Sequence, residues 1–194
     1  MKKTQLLELI EKGYVDNTLT KYEIKKVIDC SKGDIMINLF NEVFKDFNEY
    51  KNKKFHLTAE LMNSFLEADK DLEIHFIDDG NGLAVAYHLE GEKYCYVDNK
   101  PPREIISDFP NFKNKFLNNH KSKLKVPQEN ECPDFVVIPH EDIKKFKHKC
   151  AELYLSVYNE RIVPRRAFRV NFVMKYINDD NSVSMCFDTF DPHP

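Results

Sequence analysis

The feature that most constrains this chain is the alternation running through Asp71–Lys100, DLEIHFIDDGNGLAVAYHLEGEKYCYVDNK. Three short runs in it, Leu72–Ile77, Leu83–Leu89 and Lys93–Asp98, are rich in aliphatic, aromatic and β-branched residues, the composition of strands. Asp78-Asp79-Gly80-Asn81-Gly82 separates the first two and Glu90-Gly91-Glu92 the second two, with Gly and Asn available for positive φ. The stretch therefore reads as a three-stranded antiparallel meander. Loops of those lengths predict Ile77 opposite Leu83 and Leu89 opposite Lys93. In that register Leu72, Ile74, Phe76, Ala84, Ala86 and His88 share one face, while Glu73, His75, Leu83, Val85 and Tyr87 share the other. Both faces are too apolar to stand in water, so the sheet is expected to be covered on either side.

Helical signals surround the meander. Thr4–Lys12 and Thr20–Cys30 carry apolar residues at helical spacing, the second with Thr20 and Glu23 as a capping box. Asp34–Tyr50 repeats the pattern through Ile37, Phe40, Val43, Phe44 and Phe47, and Thr58–Ala68 through Leu61, Met62 and Phe65. Past Pro101-Pro102, helical segments are read at Arg103–Ser107 and Phe112–Asn119, and a loop at 118–133. Asp134–Pro139 is nearly all apolar and reads as a buried strand. His140–Ile162 is expected as one long helix through Ile143, Phe146, Cys150, Leu153, Tyr154 and Val157. A hairpin follows, Phe168–Ile177 with Val183–Phe190. A two-residue loop at Asp179-Asp180 would pair Phe172 with Phe187, Met174 with Met185 and Tyr176 with Val183. The fold class is α+β: an N-terminal helical layer, a central antiparallel meander, then a long helix and a terminal hairpin. It is read as a single domain over 1–194, with a possible division into a helical layer 1–56 and a sheet-containing core 57–194.

Composition narrows the function classes. A net charge of −3 exerts no general pull toward nucleic acid or an anionic membrane. The opening MKKTQLLELIEKGY lacks the apolar core of a signal peptide, and no run reaches the length of a membrane span. Five cysteines, scattered at 30, 95, 132, 150 and 186, do not resemble a disulfide framework, so reduced thiols and a cytoplasmic location are expected. Lysine outnumbers arginine 24 to 5, a bias read here as bacterial.

Against that bias, Arg161, Arg165, Arg166 and Arg169 fall within nine residues. Guanidinium forks suit carboxylates and phosphates held bidentately, so the group is a candidate binding patch. Pairing of Arg169 with Asp188 and Asp191 along the hairpin is the plainer alternative. Metal ligation by Cys132, His140, His148 and Cys150 fails on spacing, because no tight ligand pair occurs. His75 and His88 fall on opposite faces in the expected register, so no metal and no cofactor is expected. An enzyme reading uses Asp79, Asp98 and Lys100: two carboxylates at one sheet edge for Mg²⁺ and a lysine to orient water. With 32 acidic residues and 24 lysines in 194 positions, about four acid-x-lysine matches arise by chance, so the motif discriminates little. Only five glycines occur, and no phosphate-cradling loop. The leading expectation is a non-enzymatic binding protein that contacts another protein, for instance a toxin-neutralising or regulatory one. A Mg²⁺-dependent nuclease-like hydrolase is the alternative.

Overall fold

The alternating run does form a meander, and that meander is part of one of two sheets. The computed structural model describes residues 27–92, 95–98, 108–126, 132–144, 150–157, 169–178, 180, 182–187 and 191–193. In chain order these form β1 (Val27–Ile28), α1 (Cys30–Val43), β2 (Lys54–Leu57), α2 (Ala59–Ala68), β3 (Leu72–Asp78), β4 (Leu83–Leu89) and β5 (Cys95–Val97). There follow α3 (Phe109–Phe116), extended by a π-helical turn over Leu117–Lys121, then β6 (Phe135–Ile138) and α4 (His140–Ile143). Strands β7 (Cys150–Val157), β8 (Val170–Ile177), β9 (Val183–Phe187) and β10 (Asp191–His193) complete the series. The protein is α+β, with one sheet ordered β1-β9-β8-β7-β2 and the other β10-β6-β3-β4-β5. No helix among the described residues is long and apolar enough to cross a membrane.

The sheets bury their inner faces against each other. Leu72, Ile74, Phe76, Val85 and Tyr87 from one sheet share a single apolar cluster with Leu153, Leu155, Phe172, Met174 and Phe187 from the other. Phe76 stacks on Phe172 with ring centroids 4.8 Å apart, which marks the centre of the interface. At one margin, the β2 residue His56 donates its backbone N–H to Asp98 Oδ1 at 2.7 Å and accepts Tyr87 Oη–H at 3.2 Å through its carbonyl. Edge-strand polar groups are thus satisfied by the opposite sheet.

Helices cover the outer faces. Met36 and Ile37 of α1 pack on Val173. Gly33 permits the approach, since a Cβ there would come 3.0 Å from Val173 Cγ1. Phe109 and Phe112 of α3 pack on Ile77, Ala86 and Val97 of the other sheet. The expectation of a sheet shielded on both sides therefore holds.

Five expectations are corrected. The helix read over 140–162 is in fact the short α4 followed by strand β7. Ala151, Leu153, Leu155 and Val157 also alternate, and pairing with β2 and β8 selects that period over the helical one. Val27 and Ile28, read as helix, pair with Phe187 and Cys186 as a strand. In the terminal hairpin, Met174 opposes Phe187 and Tyr176 opposes Met185, while Phe172 lies across from Leu155. That two-residue shift keeps the inward faces intact and follows from a longer loop, closed by Asn178 N–H on the Ser182 carbonyl and by a bulge at Tyr176/Ile177.

The meander is shifted by one residue: Ile77 opposes Ala84, not Leu83, and His88 opposes Cys95. A single-residue shift exchanges the faces of β4, so Val85 and Tyr87 point inward and His88 outward. Finally, Cys30 and Cys186 form a disulfide, which overturns the expectation that all thiols are reduced; among the described residues Cys132 and Cys150 are free. The helices read at Thr4–Lys12 and Arg103–Ser107 lie outside the described residues.

Candidate metal centre

The one-residue shift creates the site. Its cause is local: Asp78 pairs with Leu83, so only Asp79–Gly82 remain as loop. Asp78 Oδ1 accepts from Gly80 N–H at 2.8 Å and Asp79 Oδ1 from Asn81 N–H at 3.0 Å, while Gly80 and Gly82 take φ of +97° and +116°. With that register Glu73 lies directly across from His88, and His75 is two residues along the same face of β3.

Glu73, His75 and His88 converge outside the inter-sheet core. His75 Nε2 is 2.9 Å and His88 Nδ1 2.8 Å from the same oxygen, Glu73 Oε2. One donor atom from each of the three lies within 4.8 Å of the other two. His75 forms the floor, its side chain 5% exposed, while Glu73 and His88 are 21% and 20% exposed and form the mouth. Aromatic rings fix the imidazoles. His75 stacks on Phe135 at 4.7 Å and meets the edge of Phe109 at 5.0 Å, and His88 lies parallel to Phe109 at 6.1 Å. His88 also directs Nε2 at the Glu92 carbonyl, 2.9 Å away, in the turn where Gly91 takes φ +74°.

The protonation states suit ligation. Burial pushes the His75 pKa down to about 4, with Lys113 acting in the same direction and Glu73 opposing. Burial alone would raise the Glu73 pKa, but hydrogen bonds from His88 and His75 outweigh it and hold the carboxyl below its usual range. At neutral pH His75 is a neutral imidazole and Glu73 a carboxylate, the forms that bind metal.

Two imidazole nitrogens and one carboxylate oxygen suit zinc and its transition-metal neighbours, whereas Mg²⁺ and Ca²⁺ prefer oxygen throughout. Bonds of about 2.1 Å in tetrahedral geometry separate ligand atoms by about 3.4 Å. The two histidine–Glu73 contacts, at 2.8 and 2.9 Å, need only a slight expansion to reach that spacing, and the three donor atoms lie within 4.8 Å of one another. His88 has the outer partner that metal-binding histidines use, its Nε2–H on Glu92 O. His75 Nδ1 has none among the described residues, and such a gap weakens a site about 10- to 100-fold.

A second polar cluster sits at the end of β3. Tyr50 Oη and His120 Nδ1 share a 2.7 Å hydrogen bond, His120 Nε2 is 3.3 Å from Asp78 Oδ2 but off the hydrogen-bonding direction, and Asn119 Nδ2 donates to that oxygen at 2.7 Å. Burial pushes the Tyr50 hydroxyl well up, so it stays protonated and donates to His120. Tyr50 is fully enclosed, so this chain of bonds anchors the π-helical turn to β3 and offers no surface to a substrate.

Of the residues singled out from sequence, Asp79 and Asp98 have partners of their own away from the triad. Asp79 accepts from the amide of its own loop, and Asp98 from the amide of His56 in the opposite sheet. Lys100, Arg161, Arg165 and Arg166 lie outside the described residues. Arg169 is half-buried immediately before β8, its Nε without a partner among the described residues. The triad was missed because the expected register put His75 and His88 on opposite faces. The Glu73-x-His75 spacing on one strand was the available signal. Compared with protein-family models, curated proteins and solved structures, the chain matches none, so the site is read from its own geometry.

Proposed function

We propose that this is a binding protein whose ligand is a divalent transition-metal ion, held by Glu73, His75 and His88. The observation that carries the reading is the convergence of both imidazole nitrogens on one carboxylate oxygen, at 2.8 and 2.9 Å. The ionised carboxylate, the neutral His75 and the outer bond from His88 to Glu92 support it. Three protein ligands leave a coordination position open, as in zinc sites that exchange a fourth ligand.

Calorimetric titration of chelator-treated protein with Zn²⁺ or Co²⁺ tests the reading. One ion per chain is expected for the wild type, with affinity falling at least 100-fold in Glu73→Gln and His88→Gln. A titration with no saturable binding, or one unchanged in both variants, overturns it.

A protein partner gripped by Arg161, Arg165, Arg166 and Arg169 is a separate proposal, supported by their clustering in sequence. Co-purification that survives replacement of all four by alanine would remove that support. For location, the Cys30–Cys186 bond favours an oxidising compartment over the cytoplasm.

A further inference from the structure

The metal centre has a neighbour that bears on what fills its open position. Lys113 projects from α3, the helix laid over this face of the sheet, with Nζ 5.5 Å from the centroid of the Phe109 ring. That ring stands 5.0 Å from His75 and 6.1 Å from His88. Lys113 is half-buried and has no carboxylate partner among the described residues.

Glu73 contributes one negative charge and metal-bound imidazoles none, so a divalent ion leaves the first shell with a net charge of +1, an excess to which Lys113 adds on the α3 side. In a half-buried site such an excess is strongly attractive to an anion. We propose that the metal centre takes a small oxyanion as its exchangeable ligand, with one oxygen on the metal and Lys113 pairing with the remaining charge. This rests on the metal-binding reading above. The ligand class is an inorganic oxyanion or small carboxylate, sharing the chemistry of a compact anionic oxygen donor.

Cobalt-loaded protein supplies the test, because its visible spectrum responds when a ligand enters the coordination sphere. Inorganic phosphate and acetate are titrated in turn into Co²⁺-loaded and metal-free protein, for the wild type and for Lys113→Gln, Lys113→Arg and Lys113→Glu. At least one anion is expected to shift the spectrum saturably in the loaded wild type and to show no calorimetric binding without metal. Lys113→Gln should retain one cobalt per chain while weakening the anion about tenfold; Lys113→Arg should restore it, and Lys113→Glu should abolish it. If cobalt binds but neither anion shifts the spectrum, or the shift is indifferent to residue 113, the oxyanion proposal is overturned and the metal reading stands. If cobalt itself fails to bind, the metal reading falls and takes this one with it. Phosphate acting without acetate identifies an inorganic oxyanion, and acetate acting alone identifies a carboxylate.

Discussion

His75 concentrates the consequences of burying an ionisable side chain. The ring stacks on Phe135 and meets the edge of Phe109, and burial pushes its pKa from 6.5 down to about 4. A histidine depressed in the folded state takes up protons first in the unfolded chain. Its contribution is therefore fully present above pH 6.5 and is lost as pH falls from 6.5 through 4. A shift of that size corresponds to at most about 3 kcal/mol. Glu73, also depressed, adds a loss of the same sign at lower pH, since its stabilisation fades as the carboxyl is protonated. Urea unfolding at pH 7 and pH 5 is expected to show the decline in metal-free protein. His75→Phe, which keeps the stack on Phe135, should flatten the part lying between pH 6.5 and 4. An equally steep profile in that variant would place the acid sensitivity elsewhere.

At the scale of elements, helix α2 illustrates how local chemistry sets a boundary. Thr58 accepts from Leu61 N–H through its side chain at 3.3 Å, and Asp69 ends the helix in the left-handed region at φ 52°. Thr58→Ala should lower stability by about 1 kcal/mol in chemical denaturation, with the fold retained. The β3–β4 loop matters more for function. Gly82 holds φ +116° in the turn that sets the register of Glu73 against His88. Gly82→Val should cost about 1–3 kcal/mol and weaken Zn²⁺ binding together with stability, although residue 82 touches no ligand. Unchanged metal affinity in a destabilised Gly82→Val would separate the loop from the site. The helix over Thr58–Ala68 could be read directly from sequence, because its apolar spacing is a matter of neighbouring residues. The register could not, because one residue more or less in a loop is decided by where Asp78 directs its carboxylate.

The described residues form two sheets with helices outside them, joined by contacts between residues far apart in the chain. The Cys30–Cys186 bond spans 156 residues and ties the start of α1 to β9, across the outer face of the β1-β9-β8-β7-β2 sheet. Closing so long a loop restricts the unfolded chain, and its loss should cost about 2–5 kcal/mol. Urea midpoints with and without a reductant, and in Cys30→Ser, measure this, and mass spectrometry under non-reducing conditions should find the pair two hydrogens lighter than the thiols. Equal midpoints would remove the bond from the stabilising contacts.

Alternation in Asp71–Lys100, the helical spacing over Thr58–Ala68 and the apolar run before Pro139 were sufficient to specify an α+β chain with a meander, because each depends on residues close in sequence. The choice between strand and helix at Cys150–Val157, the disulfide, and the meeting of Glu73, His75 and His88 depend on partners outside the segment concerned. Side-chain patterns propose local periods, and long-range pairing selects among them. A single step of register is enough to move a histidine from one face of a sheet to the other, and with it the metal-binding triad.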